Sequence, residues 1–148
     1  MPRIREIRCA NCALRLASGW GGMFYVATSL GERQICPHPG ELEYVAQVLG
    51  FSKEELADLN AGQKWWWSSD RKARRARIKE AFDKRTGFLS DCFCEACGNM
   101  TGLDLNRDEL KCPKCSASAI FSVKNMVGRT CLRCNNGVFE EFDTGIVA

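Results

Sequence analysis

Three hydrophobic patterns succeed one another along the chain. From Met23 to Thr28 the residues Met-Phe-Tyr-Val-Ala-Thr form a run of aromatic and apolar strand formers, side chains that fit a pleated, half-buried surface. Leu30-Gly31-Glu32-Arg33 can turn the chain back into Gln34 to Cys36, so a β-hairpin is predicted there. Beyond it the period changes to that of a helix: Leu42, Val45, Ala46 and Leu49 share one face, and Gly50 supplies the stop. Ser52, with Glu55 three residues on, has the form of a capping box that opens a second helix to Asn60. Ser68 or Ser69 can cap a third helix running to about Lys84, ended by Gly87. The final third carries only short pieces. Leu103 to Leu105 and Glu109 to Lys111 flank an Asn-Arg-Asp turn, Ala119 to Val123 reads as a further strand, and Val138 to Phe142 alternates imperfectly.

Ten cysteines in 148 residues, against a single histidine, point to metal. Eight of them stand in four CxxC pairs: Cys9/Cys12, Cys94/Cys97, Cys112/Cys115 and Cys131/Cys134. The other two are Cys36, two residues before His38, and Cys92. Residues 39 to 91 hold none. A small α+β organisation is therefore expected: an N-terminal zinc-bound β-hairpin module over 1–39, a helical, Trp-rich basic middle over 40–88, and a C-terminal zinc-ribbon module over 89–148. Structural metals would offset the small core of each part.

A CxxC turn sets two thiolates on one side of a tight loop, and two such turns facing each other make a tetrahedral cage for zinc. Cys94 and Cys97 are separated from Cys112 and Cys115 by fourteen residues, a hairpin's worth of chain. Over roughly residues 92 to 123, Cys-Glu-Ala-Cys-Gly, a hairpin, Cys-Pro-Lys-Cys and a third strand resemble the zinc-ribbon and rubredoxin-like knuckle families, with Ser116 where those families place glycine. The resemblance implies a structural metal and no particular activity. The spacing leaves a second pairing open. Fifteen residues separate Cys115 from Cys131, so Cys112/Cys115 could share a metal with Cys131/Cys134 instead.

At the other end, Cys9, Cys12, Cys36 and His38 make a Cys3His set with twenty-three residues between Cys12 and Cys36. Two zinc ions follow, and a third if Cys92, Cys131 and Cys134 gain a fourth ligand such as Asp91. Iron, which shares the four-sulfur geometry, ranks behind zinc. Thiolate-rich ligand sets quench Lewis acidity, and one histidine cannot build a nucleophile triad. The chain is accordingly expected not to be an enzyme. A thiol- or metal-dependent enzyme or redox protein at an incomplete third cysteine site is the alternative.

Charge singles out the middle. From Lys64 to Arg85 there are nine basic and three acidic residues, a net +6 in a chain of +3. Such asymmetry suits a polyanion. Lys72, Arg75 and Lys79 fall on one helical stripe, next to the run Trp65, Trp66, Trp67. Two of these tryptophans are expected in a core and the third over a neighbouring zinc module; the functional alternative is a stacking or docking anchor. The expected role is an adaptor with a protein partner, and nucleic acid as the sharper version. No small-molecule substrate is expected. The longest uncharged stretch, Leu16 to Gly31, is short and glycine-rich, and no secretory pattern is seen, so neither a membrane span nor export is expected and the cytoplasm is the expected location.

Overall fold

The computed structural model describes residues 3–147. In chain order the elements are β1 (Arg3–Cys9), β2 (Arg15–Gly19), β3 (Gly22–Ala27), β4 (Arg33–Ile35), α1 (Glu41–Leu49), α2 (Lys53–Asn60), α3 (Ser69–Arg85), β5 (Thr86–Cys94), β6 (Met100–Leu103), β7 (Ile120–Ser122) and β8 (Phe139–Val147), with a 3-10 turn at Val123–Met126. The result is a small α+β fold. Its contacts divide it into two compact units: the segment up to Met23 together with everything from Phe88 onward, and the insertion Phe24–Gly87 between them. This differs from the linear division into 1–39, 40–88 and 89–148. The N-terminal strands belong with the C-terminal cysteines, because β8 pairs with β1 across the whole chain.

Within the insertion, most of β3 pairs antiparallel with β4, Tyr25 opposite Ile35 and Val26 opposite Gln34. Helix α1 follows and stops where Gly50 takes the left-handed conformation. Helix α2 opens on the capping box: the Glu55 N–H donates to the Ser52 Oγ at 3.2 Å, and the Ser52 N–H to the Glu55 carboxylate at 2.9 Å. Ser68 caps α3. Val26, Cys36 and Val45 are the buried centre, with Phe24, Tyr44 and Phe82 packed around them. Arg75 donates to the carbonyls of Asp58 and Leu59, at 3.1 Å each, and so satisfies the exposed acceptors at the end of α2.

The other unit consists of two three-stranded ribbons with the same connectivity. In the outer ribbon, central β1 pairs antiparallel with β2 on one side and β8 on the other. In the inner ribbon, central β5 pairs with β6 and β7 in the same way. In each, the central strand runs into a CxxC, the chain turns back as the hairpin partner, and a strand that follows a second CxxC closes the far side. The inner ribbon and the insertion both lie within the connection of the outer one. Ile7, Leu16, Phe93, Val123, Met126 and Phe139 form the apolar core of this unit with Cys9 and Cys131.

Complementary charges line the long β1/β8 pair. Arg3 meets Asp143 at 2.7 Å, Arg5 meets Glu141 at 2.8 Å, and the Arg8 guanidinium lies 3.7 Å over the Phe142 ring. Glu109 to Lys111, expected as a strand, is not one. Asp104 organises the approach as a turn, its carbonyl accepting from Arg107 and Asp108 and its carboxylate from the Asn106 N–H.

Candidate functional site

Eight cysteines assemble into two four-thiol cages, Cys94/Cys97/Cys112/Cys115 in the inner ribbon and Cys9/Cys12/Cys131/Cys134 in the outer. Within each cage all the sulfurs lie within 4.8 Å of one another. The closest pairs are Cys94–Cys115 at 3.7 Å, Cys97–Cys112 at 3.6 Å, Cys9–Cys134 at 3.6 Å and Cys12–Cys131 at 3.6 Å. A tetrahedron with metal–sulfur bonds of about 2.3 Å has edges of about 3.8 Å, so both cages fit such an ion. None of these thiols is in a disulfide.

All four knuckles share one backbone form. In three of them the residue after the second cysteine donates its N–H to the carbonyl of the first: Gly98 to Cys94, Ser116 to Cys112 and Asn135 to Cys131, each at 2.8 Å. Together with Ala13 in the fourth, these residues all have positive φ, between 54° and 70°. The turn demands a left-handed residue there, which is why ribbons favour glycine. Ser116 adopts the conformation at a cost and the knuckle survives. Backbone N–H groups are aimed at the sulfurs: Asn11 donates to Cys9 Sγ at 3.3 Å, and Cys115 and Lys114 donate to Cys112. Gly137 closes the outer cage from the side. A Cβ on it would stand 2.6 Å from both Cys9 Sγ and the Asn11 Cβ, so no side chain fits.

The thiols of a metal-free cage titrate far apart. At Cys112 burial opposes ionisation but is outweighed by the N–H groups of Cys115 and Lys114, and the thiol falls to about 6. The Asn136 N–H and the Asn11 side chain bring Cys134 to about 6. At Cys12 the Leu14 N–H favours the thiolate, yet burial and the neighbouring sulfurs push it to about 11; at Cys97 the Asn99 N–H is overcome likewise, and the thiol reaches about 12. Four thiolates cannot share so small a volume without a cation, and a divalent one removes the conflict.

The remaining candidate ligands lie elsewhere. Cys36 is in the apolar centre of the insertion, its thiol pushed up by burial, and His38 is paired with Glu41. Neither joins Cys9 and Cys12, whose cage Cys131 and Cys134 complete. Cys92 packs as a small hydrophobe against Cys94, Cys112 and Ile120, its thiol raised by burial. A third site of Cys92, Cys131 and Cys134 is thus not assembled, because Cys131 and Cys134 belong to the outer cage. Asp91, its suggested fourth ligand, is half-buried with its carboxyl pushed up by desolvation.

In the basic segment the tryptophans part company. Trp67 is buried, 7% exposed, beneath the Arg71 guanidinium at 4.2 Å, whereas Trp65 and Trp66 are 84% and 64% exposed. One rather than two of them is in a core. The Lys72, Arg75 and Lys79 stripe is divided in its duties: Arg75 holds the end of α2, Lys79 pairs with Asp83, and the Lys72 ammonium donates to the Trp65 carbonyl at 3.1 Å.

No protein-family model, curated protein or solved structure matches the chain. Among the described residues no helix is long and apolar enough to cross a membrane.

Proposed function

We propose that the chain is a nonenzymatic zinc-binding adaptor, in which two structural zinc ions hold the nested ribbons and the basic, tryptophan-bearing insertion meets the partner. The observation that carries this is the pair of four-thiolate cages with tetrahedral edges. Zinc is chosen over iron because it has no redox chemistry to accommodate and is the usual ion of paired CxxC knuckles. Complete sets of four sulfurs leave no open coordination position, which suits a structural and not a catalytic ion. Ten unpaired thiols suit a reducing compartment such as the cytoplasm. The partner is a protein or a nucleic acid reached through Trp65, Trp66 and the cations of α3.

Intact-mass measurement under native conditions tests the metal directly: two zinc ions are expected, with release on acidification. Removing them with a strong chelator should unfold the ribbons, because structural zinc of this kind contributes on the order of 10 kcal/mol of folding free energy. An unchanged thermal melt after complete metal loss would refute the proposal.

A further inference from the structure

We infer that the corner formed by Lys64, Trp65, Trp66 and Lys72 is a docking site for single-stranded nucleic acid. This rests on the proposal that the chain is an interaction module and names the partner. Two adjacent indoles at 84% and 64% exposure are a large apolar surface for a folded chain to leave in water. Their neighbour Trp67 shows that the same local sequence can bury an indole, so exposure of the other two follows from where this turn points them and not from any lack of core. Their ring centroids are 5.6 Å apart and the planes stand at 87°. The edge of one ring therefore meets the face of the other, and the two indoles offer planes at right angles and not a parallel stack.

That geometry discriminates among polyanions. Bases in a duplex are stacked parallel, with their faces covered by their neighbours, and cannot meet two perpendicular rings at once. Successive bases of a single strand can be splayed apart, each onto its own ring. Carboxylates of an acidic protein have no π-face to offer. The charges complete the site. Lys72 spends one of its three donors on the Trp65 carbonyl, which places an ammonium beside the indole pair. Lys64 directly precedes Trp65 and is exposed. The +6 of the segment already counts its three acidic residues, and two of these, Asp83 and Glu80, are paired with Lys79 and Lys84 and not with Lys64 or Lys72.

The test is titration of the zinc-loaded full chain with a labelled oligothymidylate of about 12 nucleotides, a length typical of single-strand sites. A hairpin duplex of the same charge and polyglutamate serve as comparisons. Binding should be accompanied by tryptophan quenching and should favour the single strand. Trp65→Ala and Trp66→Ala should each weaken it about tenfold. With about three phosphate contacts the slope of log affinity against log salt should be about −2, and Lys64→Glu with Lys72→Glu should flatten it. Equal or tighter binding of the duplex, displacement by polyglutamate at matched charge, or indifference to both tryptophan changes overturns the inference. The same samples are weighed intact for zinc. A chain that keeps both ions and ignores the oligonucleotide defeats this inference alone, whereas one that binds the oligonucleotide without metal defeats the zinc proposal instead.

Discussion

The two cages are built from the same knuckle and differ in how far the chain must travel to close them. The inner joins cysteines 15 and 21 residues apart; the outer joins cysteines 119 and 125 apart. Loop-closure entropy grows by only about 0.6 kcal/mol per doubling, so three doublings penalise the outer cage by about 2 kcal/mol. That difference is modest beside the binding free energy of a structural metal. Kinetically it matters more, because local contacts form before distant ones. The inner ribbon can assemble alone, and once it and the insertion are folded the connection of the outer ribbon is effectively shorter. The outer cage then locks β1 to β8, which makes it the closure of the unit and not a repeat of the inner one.

The largest expected effect separates the two directly. Cys131→Ser should lose the outer metal, expose the amides of β1 and β8 to hydrogen exchange, and leave the inner metal bound, so that intact mass reads one zinc. Cys112→Ser should do more: the inner ion is lost outright and the outer affinity falls with it, because its connection lengthens. Equal and independent losses in the two variants would refute the nested order.

Gly137→Ala attacks the outer cage without touching a ligand. The added methyl has no room against Cys9 Sγ, so the zinc count should drop toward one with all ten thiols still present. A full complement of two ions in this variant would show that the cage can shift to admit a Cβ. A smaller effect is expected from the ion pair between the ribbons. Glu95, inside the inner CxxC, receives two hydrogen bonds from Arg129, at 2.7 and 2.9 Å, and Arg129, two residues before Cys131, also lies over the Phe121 ring. The pair is partly exposed and screened by water, so Glu95→Gln should have only a slight effect, seen as a lowered outer affinity at limiting zinc, the inner affinity being unchanged. Smallest and opposite in sign is Ser116→Gly. Relief of a left-handed serine should raise the thermal stability of the inner ribbon by about 0.5–1 kcal/mol, and Asn135→Gly should do the same for the outer. A decrease in either would mean that the side chain has a role beyond the turn.

Local chemistry was legible in the residues themselves. The helical period over Glu41 to Leu49, the Ser52/Glu55 box and the Ser68 cap are interactions between residues a few positions apart, and the helices form where those signals stand. The four CxxC pairs likewise announce metal knuckles, since each is a turn of a few residues. What lay outside the sequence's reach was partnership over distance. β1 is a short alternating strand whose ladder partner, β8, lies at the other end of the chain and is advertised by nothing nearby. Cys36 and His38, closer to Cys9 in sequence and flanked by prolines, have the right chemistry for the third and fourth corners, but both fold within the insertion, and Cys131 and Cys134 take those corners instead. The exposure of Trp65 and Trp66 was equally undetermined, because three identical side chains in a row carry no information about which one faces a core. A CxxC pair forms its two-thiol turn from a few neighbouring residues, so the sequence by itself determined that the protein would carry metal-knuckle turns and of what kind. Only the tertiary structure, through the long β1/β8 ladder, decided which turns face one another.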